Sequence, residues 1–174
     1  MTTTLRASSD QYDQDGVLDL IRKHVELHDR GFAARPDWAH QSLFHLLLDL
    51  GRRFVVSSRP RDLVGMPKKL CYANSAAYAT QHQAEGIVYA EGMASIKVGG
   101  ADFPLPHAWV VRPDGTVIDP TWGDIPGQTY IGVPIADPGL WPVDGWGSSR
   151  TLRRRWRCCA TGSQRRLLLM SGAH

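Results

Sequence analysis

From Asp15 to Asp29 the apolar residues Val17, Leu18, Ile21, Val25 and Leu27 recur at near-helical spacing, and Gly31 supplies a stop. This predicts a first helix. A second opens at Pro36-Asp37, with Asp37 as its cap. Leu43, Phe44, Leu47, Leu48 and Leu50 form its apolar face, and Gly51 ends it. Phe54-Val55-Val56 either extends this helix or makes a short strand, and residues 57–68 read as a loop. A third helix spans Leu70 to Gln83, its alanines suited to close packing, and Gly86 stops it.

Beyond Gly86 the pattern changes. Residues 87–98 read as a strand. Two apolar runs around Pro113-Asp114-Gly115 predict a hairpin with strands at 107–112 and 116–119. Tyr130–Ile135 gives one more strand. Helices first and an antiparallel meander afterwards make the class α+β. Residues 1–13 read as a disordered lead-in, 14–149 as a single domain, and 150–174 as a tail.

Charge sharpens that division. All 17 acidic residues precede position 150, where 13 Lys and Arg leave a net charge of −4. From Arg150 onward there are seven arginines and no acid. Such a tail is a candidate contact for nucleic acid or a membrane surface, but a like-charged run is more often a solvated extension. The acidic main domain would repel a nucleic acid. With 174 residues, 43% hydrophobic, the chain can bury a sizeable core. No apolar run is long enough for a membrane span and the start lacks a secretory pattern, so the expected location is the cytoplasm. Three cysteines, Cys71, Cys158 and Cys159, do not suggest a disulfide framework.

The informative constellation is Cys71, His107 and Asp119. Cys71 opens the third predicted helix, where free backbone N–H groups and the helix dipole favour a thiolate. His107 begins one hairpin strand and Asp119 ends the other, so antiparallel pairing returns them to one end. A carboxylate orients an imidazole, and an imidazole removes a thiol proton and later delivers it to a leaving group. Each residue alone has a bland reading: a small buried thiol, a structural histidine, a turn-forming Asp-Pro. The joint placement favours chemistry.

The runs CYANSAAYA, YAEGMA, PLPHAWVVRPDGTVIDPTW and YIGVPI resemble the transglutaminase-like and papain-like cysteine enzymes, especially small members from bacteria and their phages. The resemblance covers residues 65–135. It implies a nucleophile-bearing helix packed on an antiparallel sheet, with Cys71 as nucleophile, His107 as general base and acid, and Asp119 as orienting carboxylate. The glutamine that papain-like enzymes often carry before the cysteine is replaced here by GMPKKL.

An acyl-transfer site needs oxyanion donors. The Cys71 N–H is one candidate; Tyr72, Asn74 and Trp122 are possible others. Asn74 also suits a structural hydrogen bond to the sheet. Glu91 is either an inward charge near the site or a solvent-facing residue beside a bulge at Gly92. Trp109 and Trp122 are core residues or a wall of a substrate cleft. His24 and His28 have metal-ligand spacing on one helix face, with His40 and His45 nearby, but partly exposed helix histidines are the favoured reading and no metal is expected. No phosphate loop is present, and no cofactor is expected.

The preferred expectation is a cysteine-dependent acyl-transfer enzyme. It would form a thioester from a peptide, protein side chain or small amide or ester, and pass the acyl group to water or to an amine. The alternatives are an inactive binding module on the same fold and, less favoured, a nucleic-acid-binding protein using residues 150–174.

Overall fold

The computed structural model describes residues 9–36, 38–61, 63–98, 101–122 and 129–142. Its elements are α1 (Ser9–Gly31), α2 (Leu43–Leu50), β1 (Arg52–Val56), α3 (Cys71–Gln81), β2 (Val88–Val98), β3 (Ala101–Val111), β4 (Thr116–Ile118) and β5 (Thr129–Ile135). Single 3-10 turns lie at Gln83–Glu85 and Pro138–Leu140. Three helices on a five-stranded sheet make the chain α+β.

The sheet closes on itself in the order β1-β4-β3-β2-β5. Four of its pairings are antiparallel, as the meander implies, but β1 joins β4 in parallel. Alternation sorts the side chains onto two faces. Tyr89, Met93, Ala108, Val110, Ile118, Ile131, Val133 and Ile135 pack with Val17 and Ile21 of α1, Leu46 and Leu47 of α2, and Ala76 and Ala79 of α3. This is the helix-covered outer face, and each fully buried aliphatic side chain contributes about 2 kcal/mol. Phe54, Ala90, Ala94, Trp109, Val111, Val117 and Tyr130 form the second cluster, which fills the barrel. The Trp109 ring leaves no room beneath it: a Cβ on Gly132 would lie 2.5 Å from that ring and 2.3 Å from the Glu91 carbonyl oxygen.

Several boundaries differ from the sequence reading. Helix α1 begins at Ser9, inside the stretch expected to be a lead-in, and Leu27 is 62% exposed rather than part of the apolar face. Helix α2 starts at Leu43, capped by Ser42, whose side chain accepts from the His45 N–H. Asp37, the expected cap, lies outside the described residues. Gly51 follows α2 with an ordinary φ of −69°; a Cβ there would sit 2.2 Å from the Leu47 carbonyl oxygen, so close approach is what demands glycine. Strand β3 reaches back to Ala101, well before the expected start at His107. No bulge occurs at Gly92: the β2–β3 and β2–β5 registers run unbroken through it. The segment 150–174, with Cys158 and Cys159, lies outside the described residues. Among the described residues no helix is long and apolar enough to cross a membrane.

Candidate active site

The hairpin turn sets the geometry. Arg112 and Thr116 close it, Gly115 takes φ 84°, and Asp114 accepts hydrogen bonds from the Thr116 N–H and hydroxyl. The β3–β4 register pairs Val110 with Ile118 and Val111 with Val117. Continued by one pair, it sets Asp119 opposite Trp109, with His107 two positions further along β3 on the same face. A diagonal neighbour of this kind is within reach of long side chains. His107 Nε2 and Asp119 Oδ2 are 2.7 Å apart, and both side chains are almost fully buried.

The Asp119 carboxylate divides its work. Oδ1 accepts the backbone N–H groups of Thr121 at 2.8 Å and Trp122 at 3.0 Å, which shapes the turn after β4. Oδ2 accepts from His107 and from the Tyr130 hydroxyl, 2.8 Å away. The turn thus formed lays Trp122 flat on the His107 ring, with centroids 3.7 Å apart and 15° between planes. The imidazole is fixed by an edge hydrogen bond and a stacked indole.

Cys71 reaches the same ring. It is the first residue of α3, half-buried and free, and close enough to the imidazole for its sulfur to favour a protonated His107. Asp119 engages Nε2, which leaves Nδ1 as the ring nitrogen available to a thiol. Burial works against a charged His107, but the hydrogen bond to Asp119 and the nearby Cys71 sulfur outweigh it and raise the imidazole pKa above its ordinary 6.5. Burial likewise pushes the Asp119 carboxyl up. The hydrogen bond and charge of His107, helped by the Trp122 N–H and Tyr130 hydroxyl, hold it below its ordinary 3.8. The arrangement favours an imidazolium between a carboxylate and a sulfur.

The start of α3 is open. Its cap residue, Leu70, offers no side-chain hydrogen bond, and the first intrahelical bond runs from the Asn74 N–H to the Leu70 carbonyl. The N–H groups of Cys71, Tyr72 and Ala73 therefore precede the helical ladder, beside the thiol. Lys69 enters this turn at φ 67°, a conformation that costs a non-glycine residue about 1 kcal/mol.

The remaining candidates separate. Asn74 donates both amide hydrogens, to the Pro67 carbonyl at 2.8 Å and the Thr121 hydroxyl at 2.9 Å, so none is left for an oxyanion. It ties α3 to the turn that carries Trp122. Glu91 is buried on the outer face and accepts from the Tyr89 hydroxyl, which excludes the solvent-facing alternative. Tyr72 is kept protonated, its pKa raised by burial, then by the Glu91 carboxylate, then by Cys71. It remains a donor beside the thiol. Trp109 is wholly buried in the barrel against Phe54 and Tyr130, so it is core and not a cleft wall. Sequence reasoning missed Tyr130 and Thr121. The Asp-Pro-Thr-Trp string carries a turn signal that could have placed Thr121; for Tyr130 only inward parity with Asp119 could have served.

Comparison with protein-family models, curated proteins and solved structures finds no match.

Proposed function

We propose that the protein is a cysteine-dependent acyl-transfer enzyme of the papain-like and transglutaminase-like kind. The observation that carries this reading is the buried His107 ring, hydrogen-bonded to Asp119 at Nε2, with the free Cys71 at the start of α3 near enough to favour its protonated form. In the proposed reaction the Cys71 sulfur attacks an amide or ester carbonyl while His107 holds the thiol proton. The open N–H groups at the start of α3 stabilise the developing oxyanion, and Tyr72, kept protonated, is a further candidate donor. His107 then gives its proton to the departing amine or alcohol, leaving a thioester on Cys71. Water or an amine, deprotonated by His107, releases the acyl group. Asp119 keeps the ring oriented and balances its charge. A peptide, a protein side chain or a small amide fits this chemistry, and a reducing compartment such as the cytoplasm keeps the thiol available.

The test is iodoacetamide alkylation of Cys71 at neutral pH in a Cys158→Ser, Cys159→Ser background. Fast alkylation that falls at least about tenfold in His107→Ala supports the pair. An inert Cys71, or equal rates in both proteins, overturns it and favours a binding module. A panel of activated esters and amides, with and without an added primary amine, then separates hydrolysis from amine transfer.

A further inference from the structure

Helix α1 carries His24 and His28 one turn apart, yet the fold separates them. His24 stacks on Phe44, with ring centroids 4.2 Å apart. His28 instead turns toward the first turn of α2, where its ring meets that of His45 at 5.2 Å and 78°. Asp29 completes the group. Its Oδ1 lies 3.0 Å from His45 Nε2 and 3.6 Å from His28 Nδ1, and all three donor atoms lie within 4.8 Å of one another.

We propose that His28, Asp29 and His45 bind a divalent first-row metal ion, zinc best of all. Metal–ligand bonds of about 2.0–2.1 Å in a tetrahedral shell put neighbouring donor atoms roughly 3.3 Å apart. The two measured edges straddle that spacing. Two imidazoles and one carboxylate are a donor set that zinc accepts, with a fourth position left for water.

Two further observations point at an ion. His28 Nδ1 is buried and makes no hydrogen bond among the described residues, and Asp29 Oδ1 is 3.6 Å from it, beyond hydrogen-bond reach. His45 Nδ1 lies 2.7 Å from the Ser42 hydroxyl. A metal-bound histidine characteristically donates its other N–H to such a group, which fixes ring and tautomer. Binding then needs only a tautomer change: the His45 proton sits on Nδ1, donated to Ser42, and Nε2 turns its lone pair to the metal. The ion would bridge the end of α1 to the start of α2. This site involves none of the residues of the cysteine centre and is independent of the acyl-transfer reading.

The test is calorimetric titration of the full chain with zinc, with Cys71, Cys158 and Cys159 changed to serine to remove competing thiols. One ion per chain is expected. His28→Ala and His45→Ala should each weaken binding at least tenfold, and Ser42→Ala by about tenfold. His24→Ala and His40→Ala should leave it unchanged. Cobalt should give visible d–d bands without a thiolate charge-transfer band. Circular dichroism of the metal-free variants checks their fold. Proton spectra of the native chain, in which zinc should shift two of the seven histidine rings, make the test independent of any variant. No binding, unshifted rings, or affinity indifferent to His28 and His45 would overturn the proposal.

Discussion

Two histidine–aspartate pairs in this protein have nearly the same hydrogen-bond length and opposite surroundings. His107 and Asp119 lie 2.7 Å apart with almost no exposed surface, and His45 and Asp29 lie 3.0 Å apart with 20% and 57% of their side chains exposed. In the first pair every neighbour is committed: Tyr130, two backbone N–H groups, an indole face and a thiol. In the second, water competes for the aspartate, which is 57% exposed. Length alone therefore says little about what an ion pair does. Burial decides how strongly it holds its charges.

The largest effect that would sharpen this contrast is expected from Asp119→Asn. The amide cannot balance a protonated ring, so under the proposed acyl-transfer reaction turnover should fall about 10³–10⁴-fold. Breaking the buried pair should also cost about 3–5 kcal/mol by urea unfolding. A fall below tenfold would mean that the inner pair is only structural.

Gly132→Ala comes next, because the added methyl would push on the Trp109 ring and the Glu91 carbonyl. Overpacking of this kind costs about 1–3 kcal/mol. Unfolding should register it, while alkylation of Cys71 in the folded protein should change less.

The pH dependence of stability follows in size. His107 has a raised pKa, so its contribution is complete below 6.5 and is lost as pH rises through the higher folded value. Asp119 has a lowered pKa, so its contribution is complete above 3.8 and is lost as pH falls through the lower folded value. The inner pair should therefore stabilise the fold most between pH 3.8 and 6.5. Urea midpoints measured across pH should show this maximum in the native chain and a flatter curve in Asp119→Asn.

The smallest effect belongs to the exposed pair. Without metal, Asp29→Asn should change stability by less than about 1 kcal/mol. A loss comparable to that of Asp119→Asn would break the comparison.

The hairpin was legible in the sequence because Pro113-Asp114-Gly115 interrupts two apolar runs, and it brought His107 and Asp119 to one end. The first half of β3 was hidden by Pro104 and Pro106. Both have the same parity, and β4 pairs with β3 only at Val110 and Val111. Their missing N–H groups therefore face an edge that no strand covers, where proline is harmless. Closure of the barrel through β1 was also hidden. Only Phe54 of that strand is buried, so no alternation marks it. The histidine cluster was not legible: the spacing of His24 and His28 reads as partly exposed helix histidines, and only α2, not visible in that spacing, brings His45 to His28 while His24 stacks on Phe44.

The divided carboxylate of Asp119 has a dynamic consequence. One side chain holds both the imidazole and the amides of Thr121 and Trp122, so backbone opening in that turn is coupled to the charge beside the sulfur. Any event that draws negative charge from the carboxylate weakens its grip on both amides. Their hydrogen-exchange rates then become an internal gauge of the protonation state of the centre, readable one amide at a time with no substrate in hand.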